Sequence, residues 1–165
     1  ICGSVGSGKT IYAAALLMEA IKQDHKIASD TLDGYIPRLA TRMFITAPEL
    51  LMKIRSTFNK PKSFQDTEGI TWLEDEMTEK DIIDQYGNME MLVLDDLGAE
   101  KQSEWALQTL YLIINKRYEN LKPTIITSNM SLDELGDALG NDRIPSRIYA
   151  MCEQLNFGNK DLRVK

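Results

Sequence analysis

The chain has 165 residues, 43% of them hydrophobic, and a formal net charge of −6. That is enough chain for one domain with a full apolar core, and the acid excess argues against a broad basic face for duplex DNA while leaving room for a local basic patch. Cys2 and Cys152 lack metal-ligand spacing and suggest no disulfide framework, and no apolar run approaches a bilayer span, so a cytoplasmic protein without membrane attachment is expected. Gly and Lys interrupt the apolar opening at once, unlike a secretory signal.

Taken in order, the chain opens on "ICGSVGSGKT", a Gly-rich turn with only Ile1 and Cys2 ahead of it. Residues 8–22 carry Ala, Leu and Met at helical spacing and predict a helix. The stretch 25–42 contains Gly34 and Pro37 and is expected to be a loop or an inserted excursion, with the lone His25 on the surface. "MFITA" (43–47) predicts a short strand, and Pro48 opens a helix over 48–58. After a second loop, Thr78 is a plausible N-cap for a short helix ending near Asn88. "MEMLVLD" (89–95) is a continuous apolar run ending in acid, the pattern of a parallel strand buried on both faces. Ser103 caps an amphipathic helix over 103–120, and "KPTIITSN" (122–129) predicts a second buried strand. Two short helices or turns follow, and "CEQLNF" (152–157) is a candidate last strand. Strands alternating with helices imply an α/β fold with a parallel sheet covered on both faces.

The opening turn fits G-x-x-x-x-G-K-[ST] from Gly3 to Thr10. Gly3, Gly6 and Gly8 let the backbone of Gly3, Ser4, Val5, Gly6, Ser7, Gly8, Lys9 and Thr10 curl until several N–H groups converge on one anion. The helix that starts there adds its N-terminal dipole. Lys9 can reach the outer phosphates of a nucleoside triphosphate, and the Thr10 hydroxyl is placed to ligate Mg²⁺. The bland alternative is a strand-to-helix turn with no ligand.

Asp95 and Asp96 close the acidic strand, at the edge where open parallel sheets bind ligands. Consecutive acids at a buried strand end are costly without a partner, which Mg²⁺–ATP would supply. Asp95 is the candidate for holding the cation, and Asp96 for orienting and deprotonating the attacking water. Asp96 is a methylene shorter than Glu, so intrinsic hydrolysis is expected to be modest; Glu100 lies close by in sequence. Asn129, at the end of the next strand, would face the γ-phosphate edge if the two strands are neighbours. Arg143, Arg147 and Arg163 each offer a guanidinium for phosphate oxygens, though any one of them alone reads equally well as a solvated surface group.

The phosphate loop, "LVLDDLGAE", "IITSN", "DRIPSR" and the late "DLR" occur in an order that resembles the AAA+ ATPases, and within them the DnaC/DnaI-type replicative helicase loaders and the related IstB transposition helpers. The resemblance covers essentially the whole chain. It implies a three-layer P-loop fold with a parallel five-stranded sheet whose first strand is cut short, and little lid. Lys9 and Thr10 then match the Walker A pair, Asp95 and Asp96 the Walker B acids, and Asn129 the sensor-1 position. Arg147 matches the arginine finger that reaches a neighbouring subunit's ATP, with Arg143 a close competitor, and Arg163 matches the sensor-2 arginine. ATP and Mg²⁺ are the implied cofactors, and assembly of the protein with itself would be coupled to nucleotide. Extra helices in the related initiators bind single-stranded DNA; Pro48–Lys62 holds that place here, with Phe58 to stack on a base and Arg55 and Lys60 to meet phosphate. A core Phe and solvated charges are the alternative there. The stretch from Asp24 to Arg42 is longer than the family leads one to expect. The chain is expected to be a fragment of a longer protein, with the helicase-docking region preceding it.

The leading reading is an ATPase that delivers a hexameric replicative helicase onto single-stranded DNA. An IstB-like helper of transposition shares the same engine. A small-molecule P-loop kinase would transfer phosphate to an acceptor and need no inter-subunit arginine. A nucleotide-sensing module would assemble with ATP and release no phosphate.

Overall fold

The computed structural model describes residues 1–30, 41–59, 64–65, 71–72, 77–99, 103–140, 142–158 and 160–162. Their elements run α1 (Lys9–Asp30), β1 (Arg42–Thr46), α2 (Ala47–Arg55), a 3₁₀ turn (Ser56–Asn59), β2 (Phe64–Gln65), β3 (Thr71–Trp72), α3 (Glu79–Asn88), β4 (Met91–Asp95), α4 (Glu104–Glu119), β5 (Thr124–Ile126), α5 (Leu132–Leu139) and α6 (Arg143–Met151). The sheet order is β1–β4–β5, all parallel, while β2 and β3 form a separate two-residue antiparallel ladder. Register pairs Thr46 with Asp95 and Leu94 with Ile126, so the acidic end of β4 is flanked by the C-terminal ends of both neighbours.

Among the described residues the parallel sheet has three strands, not the expected five. The two remaining positions shrink to parallel bridges of Cys2 with Ser128 and with Asn156. Cys2 donates its N–H to Leu155 O and accepts from Phe157 N–H, the pattern of a parallel neighbour, but Gly3 at φ 149° turns the chain out of the sheet directly afterwards. The candidate last strand at 152–157 therefore pairs only at Asn156, and the strand expected over 122–129 is limited to Thr124–Ile126.

β4 is central because its residues are apolar on both sides. Val93 packs with Ala13 and Leu17 of α1 on one face. Leu92 and Leu94 enter the larger core on the other, with Leu50 and Ile54 of α2, Ile82 and Tyr86 of α3, and Leu110, Ile113 and Ile114 of α4. This gives the expected three layers, helix, sheet and helices.

The helix starts follow their caps. Thr46 and Glu49 form a reciprocal capping box at α2, with Pro48 in its first turn; Thr78 and Asp81 do the same at α3, and Ser131 and Glu134 at α5. Ser103 caps α4 through the Ala106 N–H. The expected helix over 48–58 ends as an α-helix at Arg55 and tightens into the 3₁₀ turn. The first helix departs more from expectation: it continues past residue 22 to Asp30, into the stretch read as a loop. Lys, Gln, Ala and Ile sustain it, with no Gly or Pro before Gly34. The rest of that stretch, 31–40, lies outside the described residues.

Arg117 on α4 is wholly buried. Its guanidinium donates to Tyr86 O (2.8 Å), Met89 O (2.9 Å), Pro123 O (2.6 Å) and Thr124 Oγ1 (2.9 Å). Burial lowers its pKa to about 10. One cation thus ties the entry to β4 to the entry to β5, and holds in register the two strands whose far ends carry the site. No helix of the described residues is long and apolar enough to cross a membrane.

Candidate functional site

The phosphate loop lies over the C-terminal ends of β4 and β5. Gly6 and Gly8 take φ of 80° and 92°, a left-handed backbone that side chains resist. Gly6 has a second constraint: a methyl group there would collide with the Asp161 carboxylate. Residues 155–158 and 160–162 lie against the loop, with Ser4 N–H on Gly158 O (3.1 Å) and Leu162 N–H on Gly6 O (3.0 Å).

α1 begins at Lys9, so the loop's N–H groups and the positive end of the helix dipole share one place. Lys9 is buried, and its ammonium spends its three protons on Gly3 O (2.8 Å), Ser4 O (2.8 Å) and Asn129 Oδ1 (2.9 Å). The Asn129 amide then donates from Nδ2 to Asp96 Oδ1 (2.8 Å). Asp95 is also buried. The Thr10 hydroxyl lies 3.1 Å from each of its carboxylate oxygens, and the Thr127 hydroxyl donates to Oδ1 at 2.5 Å. The Asp96 N–H donates to that same Thr127 oxygen (2.9 Å). Asp96 sits at φ 59°, a region Asp tolerates better than most residues.

Lys9, Thr10, Asp95, Asp96 and Asn129 therefore meet around one cleft of about 300 Å³, lined also by Gly6 and Gly8 of the loop. The cleft offers a cation and a helix N-terminus for phosphate, hard oxygen donors for a divalent ion, and a second carboxylate beside an amide. Thr10 and Asp95 fit Mg²⁺ by the chemistry of their donors. Among the described residues no group of three or more His, Cys, Asp or Glu could hold a metal by itself. A cation at this place would therefore share its ligands with the phosphates and water.

Arg147 and Arg143 are not in the cleft. Arg147 lies on α6 and is held against α4, its Nε on Asn115 Oδ1 (2.9 Å) and its guanidinium 4.6 Å from the centre of the Tyr118 ring. Arg143 is exposed at the first residue of α6. Arg163 and Glu100 lie outside the described residues, as does Lys60.

Arg55 and Trp105 line a second place, a groove of about 270 Å³ between α2 and the start of α4, and Phe58 packs on the Trp105 ring beside it. Trp105 organises it: the Phe58 ring meets it edge-on at 5.5 Å and the Arg55 guanidinium lies 6.0 Å over it. Glu79 Oε1 accepts the Trp105 indole N–H at 2.8 Å. Phe58 is half exposed, not a core residue. Trp105 escaped the sequence reading, since a Trp in the first turn of an amphipathic helix reads as packing. Thr127 was legible only as the end of a strand.

A family model described as IstB-like ATP binding protein matches residues 70–165. The crystal structure of the DnaC helicase loader superposes with a TM-score of 0.65 at 30% identity, covering 96% of this chain and 76% of that one. Among curated proteins, the replicative helicase loader DnaC of Escherichia coli K12 is 20% identical over 88% of this chain and 47% of its own length. A putative insertion sequence ATP-binding protein of Sinorhizobium fredii, y4pL, is 25% identical over 99% of this chain and 55% of its own. The chain thus spans about half the length of these two relatives. With the phosphate cleft assembled on a DnaC-like sheet, the chain belongs to the IstB-like ATP-binding proteins of the AAA+ class, related to the DnaC and DnaI helicase loaders.

Proposed function

We propose that this chain is the ATP-hydrolysing motor of a helicase loader, which delivers a replicative helicase onto single-stranded DNA. The observation that carries the ATPase reading is the continuous path Lys9–Asn129–Asp96, joined through Thr127 to Asp95 and Thr10. It supports a reading in which Lys9 serves as the phosphate-binding cation, Thr10 and Asp95 as the divalent-cation seat and Asp96 as the base for water, all joined by one chain of hydrogen bonds. Lys9 and the loop N–H groups hold the β- and γ-phosphates. Thr10 and Asp95 would hold Mg²⁺, which would supply positive charge beside the phosphate oxygens. Asp96 orients the attacking water and accepts its proton, and Asn129 turns its amide from Lys9 to the water or a γ-phosphate oxygen.

Arg147 or Arg143 acts on the neighbouring subunit's nucleotide, and Arg163 on its own. For Arg147 this requires leaving or sharing its seat on Asn115 and Tyr118. The groove of Arg55, Phe58 and Trp105 combines a guanidinium with a half-exposed ring, as single-strand binding sites do. The likeness to the DnaC crystal structure supports the loader reading.

An IstB-like role beside a transposase is the second reading, favoured by the match of y4pL across nearly the whole chain. The deciding experiment uses the full-length protein. ATP-dependent co-purification with a hexameric replicative helicase, strengthened or released by single-stranded DNA, supports the loader. Association with a transposase and none with the helicase supports the second reading.

A further inference from the structure

Thr127 stands just beyond β5, 2% exposed, with its backbone secured on both sides by Leu94 O (3.1 Å) and Leu97 N–H (2.9 Å). A hydroxyl has one proton to give and lone pairs to receive. Here the Asp95 carboxylate can only accept and the Asp96 N–H can only donate, so the rotor has a single satisfying position. We infer that Thr127 is the positioning residue of this site, its one hydroxyl fixing both acids: Asp95 for the cation and Asp96 for water.

The two acids depend on it differently. Asp95 is held by Thr10 as well, but Thr10 is exposed and would also offer its lone pairs to the divalent ion. Thr127 is buried and has no such second task, so its hold on the buried carboxylate does not depend on the ion. Asp96 is governed through its peptide. The bond from its N–H to Thr127 Oγ1 sets the plane between Asp95 and Asp96 and supports the φ of 59°. From that backbone the Asp96 carboxylate reaches Asn129, two residues beyond Thr127 on the same strand end. Strand pairing of β4 with β5 is thereby converted into alignment of the acids with the amide.

This inference rests on the ATPase reading, and the test separates the two. Thr127→Val keeps the shape and removes the hydroxyl; Thr127→Ser restores it. In Thr127→Val, nucleotide binding without Mg²⁺ is expected to match the wild type, since the loop and Lys9 are intact. The gain in affinity for a fluorescent ATP analogue on adding Mg²⁺ is expected to shrink by about 10- to 100-fold, the usual effect of losing a group that orients a metal ligand. kcat falls while KM for ATP in excess Mg²⁺ changes less, and Thr127→Ser recovers most of both. Amide hydrogen exchange at Asp96, read without nucleotide, is expected to be slow in the wild type and in Thr127→Ser and faster in Thr127→Val. A Thr127→Val protein with wild-type Mg²⁺ dependence, or a wild-type Asp96 amide that exchanges freely, overturns the inference; the second readout stands even if the valine variant fails to fold. Equal nucleotide binding by the wild type and Lys9→Ala would instead sink the ATPase reading, while Asp96 exchange would still report the hydroxyl's hold on the backbone.

Discussion

Lys9 Nζ lies 2.9 Å from Asn129 Oδ1, across 120 residues of chain, and the same Asn129 amide holds Asp96. Lys9 is fully hydrogen-bonded without a phosphate. On the proposed reading, nucleotide binding exchanges part of this set for phosphate oxygens, and release of the Asn129 bond would free a second functional group.

Lys9→Ala removes the ammonium and leaves Gly3 O and Ser4 O without their donor. Loss of a charge-assisted contact to phosphate is expected to weaken ATP binding by about 1.5–3 kcal/mol, roughly 10- to 100-fold. Titration with a fluorescent nucleotide reads it directly.

Asn129→Ala is expected to leave ATP binding nearly unchanged, because the amide's loss frees Lys9 for phosphate. Turnover should drop by about 100-fold, the scale for one preorganised donor at a developing charge. A raised KM with kcat unchanged would place Asn129 in binding instead.

Arg117→Met would leave Tyr86 O and Met89 O short of a donor within the core, while Pro123 O keeps the Leu92 N–H at 3.2 Å. At about 1–3 kcal/mol for each stranded polar group, a loss of at least about 2 kcal/mol is expected, measured as a lower urea midpoint. Because the residue lies at the opposite end of β4 from the phosphate cleft, nucleotide affinity of the folded fraction should persist.

Asp84 has its pKa lowered from 3.8 to about 2 by hydrogen bonds from Lys116 and then Lys80, both at 2.7 Å. A carboxylate with a depressed folded pKa stabilises the fold above its unfolded value and stops doing so as pH falls through the folded one. Its contribution, a link between α3 and α4, should thus be complete above about pH 4 and gone near pH 2. Acid titration of Asp84→Asn should show a correspondingly flatter stability curve in that window.

Phe58→Ala is expected to cost about 1–3 kcal/mol of single-stranded DNA affinity if one base stacks there. Since Phe58 touches Trp105, wild-type indole fluorescence should respond to a DNA oligonucleotide. Unchanged fluorescence and affinity would remove this groove from the DNA path.

Where local chemistry rules, the sequence was enough. The spacing from Gly3 to Thr10 points to a Gly-rich turn that opens a helix, and the caps Thr78 and Ser103 announce their helices because each meets a backbone N–H three residues on. The apolar run ending at Asp95 predicts a buried strand because nothing polar interrupts it. What no local pattern contains is which residues meet across the sheet. The continuation of α1 to Asp30 was hidden by weak polar periodicity, and the narrowing of the sheet to three strands follows from how Gly3 turns away after one bridge. Arg117 reads as a surface charge of an amphipathic helix until the carbonyls of two distant turns surround it. Thr127 reads as a strand end until parallel pairing of β4 with β5 carries its hydroxyl between Asp95 and Asp96. Sequence by itself determined the chemical groups and the Gly-rich loop that opens α1. Tertiary structure alone decided their alignment, because a hydrogen bond between strands depends on register, and register is set by the burial of both faces of β4 at once.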